Sequence, residues 1–109
     1  MAKLERTLHE DFQGLLLRIE SGILKGSASA SLEDGTDFAC GDTRCSVRVY
    51  ERYSMMGGNR VSMTVTLFQP GKGQPVQLSA ITAGGSQAVF AKVNTWGESS
   101  FLRKLEELL

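Results

Sequence analysis

Two alternating runs joined by a glycine-rich link decide the predicted fold: CSVRVYERYSMMGGNRVSMTVTLF, residues 45–68. In the first run Val47 and Val49 alternate with polar residues, and the second run repeats the alternation from Val61 to Leu67. Such alternation is typical of strands with one buried face. The segment therefore predicts a β-hairpin whose aliphatic side chains face a core and whose polar side chains face outward.

The outward face of this hairpin is the first candidate site, because it would carry Arg48, Tyr50, Arg52 and Arg60. Arginine binds carboxylates and phosphates through two parallel hydrogen bonds. For both aliphatic runs to share one face, paired residue numbers must have an even sum, which predicts an odd-length loop around Gly57-Gly58. The alternatives for this face are plain solvation and dimerisation.

The segment before the hairpin predicts one strand or helix start, one helix and one further strand. Residues 3–8 alternate like a strand but also fit the start of a helical stripe. Asp11 is a candidate N-cap for a helix that begins near Phe12 and ends at Gly22 or Gly26. The alternating GSASASLEDG, residues 26–35, predicts a strand ended by an Asp34-Gly35 turn.

The segment after the hairpin predicts a strand, a weaker edge strand and a helix. VQLSAIT, residues 76–82, alternates with Val76, Leu78 and Ala80 inward, and QAVFAKV, residues 87–93, fits an edge strand. Thr95-x-x-Glu98 matches a capping box at a helix start. The apolar face of this helix would consist of Phe101, Leu102, Leu105, Leu108 and Leu109.

These elements predict one α+β domain over residues 1–109, with a single curved antiparallel sheet and two helices on its aliphatic face. The order is β-α-β-β-β-β-α if residues 3–8 form a strand. TATA-binding-protein-like and helix-grip folds share this order. The likeness is topological and carries no function.

The second candidate site is the segment Gly84, Gly85, Ser86 and Gln87, with Lys92 as the nearest cation in sequence. Its glycine spacing matches neither a Walker loop nor a dinucleotide-binding fingerprint. Successive amides near paired glycines can still form an anion-binding nest. The alternative is a turn that ends a strand.

Composition argues against several classes of function. The chain has 12 basic and 12 acidic residues and a net charge of zero, which argues against nucleic-acid and anionic-membrane partners. No apolar run is long enough for a transmembrane helix, and the first residues do not resemble a secretory signal, so we expect a cytoplasmic protein.

Catalytic and metal-binding patterns are equally sparse. His9 is the only histidine, and Cys40 and Cys45 are spaced as C-x4-C, which favours two free thiols over a zinc or redox site. The acids Glu33, Asp34, Asp37 and Asp42 lack calcium-loop offsets and favour turns. We therefore expect no catalytic residues, no metal and no cofactor.

Glu51 shares parity with the inward valines of its run and so needs a partner or access to solvent. A buried carboxylate with a raised pKa would be a functional candidate. Pairing with an arginine such as Arg60, or exposure to solvent, is the favoured interpretation.

Three segments carry a family resemblance: SASLEDG at 29–35, VRVYERYSMMGGNRVSMTVTL at 47–67 and SAITAGGSQAVFAKVNTWGE at 79–98. With them the chain resembles a family of small uncharacterised bacterial proteins described as a domain of unknown function. The resemblance covers nearly the whole chain and implies single-domain cytoplasmic proteins, mainly from Gram-positive anaerobes. It implies no activity, cofactor or catalytic residue.

Two functions follow as hypotheses. The first is a non-enzymatic binding module that holds a small anionic molecule or an acidic partner on the arginine-bearing sheet face. The second is a domain that self-associates as a homodimer, or docks another protein, through that face without a small ligand.

Overall fold

The computed structural model describes residues 1–54, 59–84 and 91–109, with the backbone alone for 54 and 91–97. Residues 3–8 belong to a strand, so the predicted element order is confirmed. The elements are β1 (Ala2–Leu8), α1 (Phe12–Gly26), β2 (Ser31–Cys40), β3 (Thr43–Ser54), β4 (Asn59–Gln69), β5 (Val76–Gly84) and α2 (Ala91–Glu106).

The described strands form one open antiparallel sheet in the order β1-β5-β4-β3-β2, with both helices on the same side. We call the uncovered side the open face. The α+β class with one open five-stranded sheet and two helices agrees with the sequence analysis. The likeness to TATA-binding-protein-like and helix-grip folds stays a prediction.

The core lies between the sheet and the two helices. α2 lies mainly over β5 and β4, and α1 runs beside it, in contact with β4 and β2. The inward faces predicted for β4 and β5 are confirmed. The buried apolar residues are Leu4, Phe12, Leu15, Leu16, Ile19, Ile23, Tyr50, Val61, Met63, Val65, Leu67, Val76, Leu78, Ala80, Phe101 and Leu105.

The orientation predicted for β3 is wrong. Tyr50 pairs with Met63 and Val49 pairs with Thr64, so even-numbered residues of β3 share the face of odd-numbered residues of β4. The even register and the odd-length loop are therefore also wrong, since residues 55–58 connect the last pair of the ladder. The conformation around Gly57-Gly58 lies outside the described residues.

The reversed orientation places a polar row of β3 toward the helices and its small aliphatic residues on the open face. The physical reason is that the helix backbones approach β3 less closely than β4 and β5, so long side chains can cover apolar surface with their stems and reach partners with their heads. The helix-facing row consists of Arg44, Ser46, Arg48, Tyr50 and Arg52.

The turn predicted at Asp34-Gly35 is also wrong, because β2 continues through both residues to Cys40. A register shift between Leu32 and Asp34 interrupts the pairing with β3 only locally. The chain reverses at residues 41–42, where Gly41 has a φ of 59°. A glycine with positive φ at the first of two central residues suits a two-residue hairpin.

The starts of the two helices differ in how well they match the predicted caps. Asp11 caps α1 as predicted, since its Oδ2 accepts a hydrogen bond from the Gly14 amide at 2.8 Å. α2 begins at Ala91 rather than near Thr95, so the predicted capping box is wrong. The same helix overturns the edge strand predicted at 87–93, of which residues 87–90 lie outside the described residues.

Candidate functional site

The structure separates the predicted arginines onto two faces. Arg48, Tyr50 and Arg52 lie on the helix-facing side of β3, whereas Arg60 lies on the open face of β4. The predicted common arginine face is therefore wrong. The predicted pairing of Glu51 is confirmed, because its Oε1 accepts from Arg60 Nε at 2.7 Å, although the pair lies on the open face.

The second predicted site is only partly described. The Gly84 amide donates to Glu98 Oε2 at 3.1 Å, and this carboxylate is 3% exposed and also contacts the Met1 amine at 3.0 Å. The first amide of the glycine pair is thus bound to a carboxylate of the chain itself. Gly85, Ser86 and Gln87, and the Lys92 side chain, lie outside the described residues.

Arg48 is clamped between β2 and α1 by two carboxylates. Its guanidinium lies 3.0 Å from Asp37 Oδ1 and 3.6 Å from Glu20 Oε1, with the side chain 15% exposed. Ser46 Oγ donates to the same Asp37 carboxylate at 2.6 Å. The Ser46 hydrogen bond, followed by Arg48, holds the pKa of Asp37 below its usual value.

Gly35 leaves the space through which the Arg48 side chain crosses β2. A Cβ at position 35 would lie 2.8 Å from Arg48 Cδ and 3.0 Å from the Val47 carbonyl oxygen. These separations are too short for a side chain at 35 without displacement. The Asp34-Gly35 pair thus serves close packing within a strand rather than a chain reversal.

Tyr50 belongs to the core and is fully buried. Its hydroxyl has no hydrogen-bond partner among the described residues. Burial, with the nearby charge of Glu20, raises the pKa of this phenol well above its usual value. The ring therefore contributes packing, and a ligand has no route to it in this structure.

Arg44 and Arg52 are held in a different way from Arg48, by aromatic rings rather than by acids. Arg44 Cζ lies 4.3 Å from the centroid of the Phe12 ring, and one of its nitrogens donates to Gln13 Oε1 at 3.0 Å. Arg52 Cζ lies 4.8 Å from the Phe101 centroid and the guanidinium donates to Ser100 Oγ at 2.8 Å. Burial lowers the pKa of Arg52.

Two concavities meet at Arg44. A groove of about 240 Å³ runs between α1 and the β2–β3 hairpin, past Ser46 and Arg48. A basin of about 570 Å³ lies at the end of the sheet, where it is lined by His9, Asp42 and Lys72 among others. Arg44 lines both concavities.

Arg44 and Lys72 are site residues that were not predicted from the sequence. The signal for Arg44 was its spacing, since positions 44, 48 and 52 are four residues apart and therefore share one face of a strand. No local signal marks Lys72, because it enters the basin from a link that only the fold brings beside α1.

The described part of the chain has neither a metal-binding cluster nor a membrane-spanning helix. No group of three or more histidine, cysteine or acidic side chains is placed there to hold a metal ion. Within residues 1–54, 59–84 and 91–109, neither helix is long and apolar enough to cross a bilayer. Cys40 and Cys45 are free thiols.

These features define the class as a small α+β domain with one open sheet and a cationic groove beside its first helix. A model of a family of unknown function, DUF6054, matches residues 1–109, and the chain belongs to this family. The resemblance inferred from sequence is thereby confirmed. No curated protein and no solved structure matches the chain.

Proposed function

We propose that the domain is a non-enzymatic binding module for a small anionic ligand, with Arg44 as its central contact. The proposal rests on the contacts and the position of the Arg44 guanidinium. It is held by Phe12 and Gln13 at the junction of two concavities, and no carboxylate lies within ion-pair distance among the described residues. A pre-oriented guanidinium loses little freedom when it binds a carboxylate or phosphate.

The other arginines of the described sheet and first helix support this choice by contrast. Arg6, Arg18, Arg48 and Arg60 each form an ion pair with a carboxylate of the chain, so their charge is already compensated. Arg52 is stacked like Arg44, but it lines neither the groove nor the basin. Arg44 thus combines a guanidinium that forms no ion pair in the described part of the chain with a concave surface.

The basin adds a second cation, and of the three acids that line it Asp42 alone forms neither an ion pair nor a cap in the described part of the chain. Lys72 lines it and forms no ion pair within the described residues. Glu10 is engaged by Arg18 at 2.7 Å, which lowers its pKa, and Asp11 is engaged as the cap of α1. A ligand with one anionic group on Arg44 and a second near Lys72 fits this arrangement.

Binding rather than catalysis is proposed because the titratable groups of the groove are engaged in structural contacts. Asp37 accepts from Ser46 and Arg48, and Glu20 lies against the same arginine. A cytoplasmic location is part of the proposal and agrees with the two free thiols.

Calorimetric titration with inorganic phosphate, a dicarboxylate, a sugar phosphate and a neutral sugar tests the proposal. At least one anion should bind, and Arg44→Gln should weaken it by about tenfold or more, because a charged hydrogen-bond pair is lost. Arg60→Gln removes the same charge on the open face and is the matched control. Equal binding by Arg44→Gln and the parent protein, or binding of no anion, would contradict the proposal.

A further inference from the structure

We propose that the open face is the interface of a homodimer in which a second copy of the chain packs sheet against sheet. This inference is independent of the anion site, which lies on the helix-facing side. It rests on the chemistry of the open face, on its self-complementary pattern and on its size.

The centre of the open face carries no charge. Three consecutive cross-strand rows on β3, β4 and β5 contain only uncharged side chains, and three of their six ends on the outer strands are charged. Depletion of charge at the centre and a polar rim are usual in a protein interface. The nine central residues are Cys45, Val47, Val49, Thr64, Thr66, Phe68, Gln77, Ser79 and Ile81.

Large apolar side chains on this face remain exposed in the single chain. Phe38 is 65% exposed, Ile81 41% and Phe68 37%, and all three belong to the rows just described or to their ends. Apolar side chains that cluster on one face, rather than occurring singly, mark a surface that a partner covers.

Each row of side chains is complementary to the same row in reverse order, which supports a second copy of the chain as the partner of this face. A two-fold axis parallel to β4 lays β1 of one copy over β2 of the other while each row stays opposite itself. The row Asp34-Val49-Thr64-Ile81-Lys3 then faces its own reverse. Lys3 meets Asp34 of the second copy, Val49 meets Ile81, and Thr64 meets itself.

The last of the three rows agrees with this arrangement. In the row Phe38-Cys45-Phe68-Gln77-Thr7, Phe68 lies on the axis and meets the Phe68 of the second copy. Paired aromatic rings at the centre of an interface contribute strongly to binding. The row that ends in Asp34 and Lys3 carries opposite charges at its two ends. These charges favour the orientation with β1 over β2 of the second copy, rather than one with β1 over β1.

The area of the face suits a reversible dimer. Five strands about 4.8 Å apart and seven residues of about 3.3 Å rise give a projected face of about 550 Å². Two copies would bury about 1,100 Å² in projection, which exceeds the roughly 1,000 Å² expected of a biological interface but stays at the low end. A dimer that dissociates on dilution is therefore expected.

Sedimentation equilibrium of the full chain over a wide concentration range tests the proposal. The parent protein should pass from monomer to dimer with rising concentration. Thr66→Glu, which places two like charges beside the axis, should raise the dissociation constant by about a hundredfold or more, since like charges are desolvated at the centre. Ser99→Glu adds the same charge on an exposed position of α2 and should leave the dimer unchanged.

A charge exchange tests the orientation. Lys3→Glu and Asp34→Lys should each weaken the dimer by about tenfold at low salt, and the double exchange should restore it because both contacts are re-formed with reversed sign. Melting curves confirm that each variant is folded. A parent protein that stays monomeric to millimolar concentration, a dimer unaffected by Thr66→Glu, or a double exchange that fails to restore association would overturn the proposal.

Discussion

β3 and β4 lie side by side in the sheet and present opposite chemistry to the helices. β4 contributes Val61, Met63, Val65 and Leu67 to the core, whereas β3 contributes one tyrosine in a row that otherwise consists of arginines and a serine. Both helices lie close to β4, whereas their backbones approach β3 less closely. The difference shows that the closeness of the helices decides which side chains a strand turns toward them.

The largest expected change in stability distinguishes the two tyrosines of β3. Tyr50→Ala should lower the free energy of unfolding by about 3–5 kcal/mol, because a fully buried ring leaves a cavity. Tyr53→Ala, on the exposed end of the other face, should cost less than about 1 kcal/mol. Denaturant unfolding of both variants measures the difference.

Tyr50→Phe completes that experiment. It keeps the ring and removes a hydroxyl that has no partner among the described residues, so stability should be equal or higher. Equal losses for Tyr50→Ala and Tyr53→Ala would mean that β3 does not bury its even-numbered side.

A second, smaller test compares two valines that occupy equivalent places in the sequence pattern. Val65→Ala on β4 should cost about 2–3 kcal/mol, since Val65 is buried under the helices. Val47→Ala on β3 should cost about 1 kcal/mol or less when measured at a concentration where the protein is monomeric, because Val47 lies on the open face. A larger cost at Val47 than at Val65 would contradict the orientation of β3.

The smallest test examines the acid that β2 supplies to the polar row. The pKa of Asp37 is lowered by Ser46 and Arg48, so its ionised form stabilises the fold at neutral pH. This contribution is present above the ordinary aspartate pKa of about 3.9 and is lost as the pH falls through the lower value in the folded protein. Asp37→Asn should therefore flatten the fall in melting temperature on acidification below about pH 4.

Asp42→Asn is the control for this measurement, since Asp42 lies exposed at the β2–β3 turn without an ion pair in the described part of the chain. The acid slope of this variant should match that of the parent protein. An unchanged slope in Asp37→Asn would show that the contacts of Asp37 with Ser46 and Arg48 do not stabilise the fold.

Sequence predicted the elements whose signals are local. The alternation of residues 61–67 and 76–80, and the cap at Asp11 followed by the apolar stripe of α1, depend on neighbouring residues alone. These features were correct because packing and local preference agree there.

The orientation of β3 could not be predicted in this way. Both sides of residues 45–53 can be buried, one through small aliphatic side chains and the other through Tyr50 and the stems of arginines. The choice depends on the register set by a four-residue link and on acids from β2 and α1 that are distant in sequence. The orientation of β3 placed Arg48 between two acids, whereas Arg44 forms no ion pair with the described residues.

The predicted start of α2 was wrong for a related reason. Thr95 and Glu98 fit a capping box, yet Glu98 is buried at mid-helix, where it binds the Gly84 amide at the end of β5. A buried carboxylate that holds a strand end is a tertiary contact, and its sequence spacing imitates a helix start only by coincidence.

The close fit of Gly35 against Arg48 has an evolutionary consequence. A side chain at position 35 would occupy space that the Arg48 stem fills, so position 35 cannot accept a larger residue while Arg48 keeps this place. Among related sequences, a residue larger than glycine at 35 should accompany a shorter residue at 48, and the acid at 37 should then be released from selection as well. Correlated substitution at 35, 37 and 48 would be the trace of this contact in the history of the family.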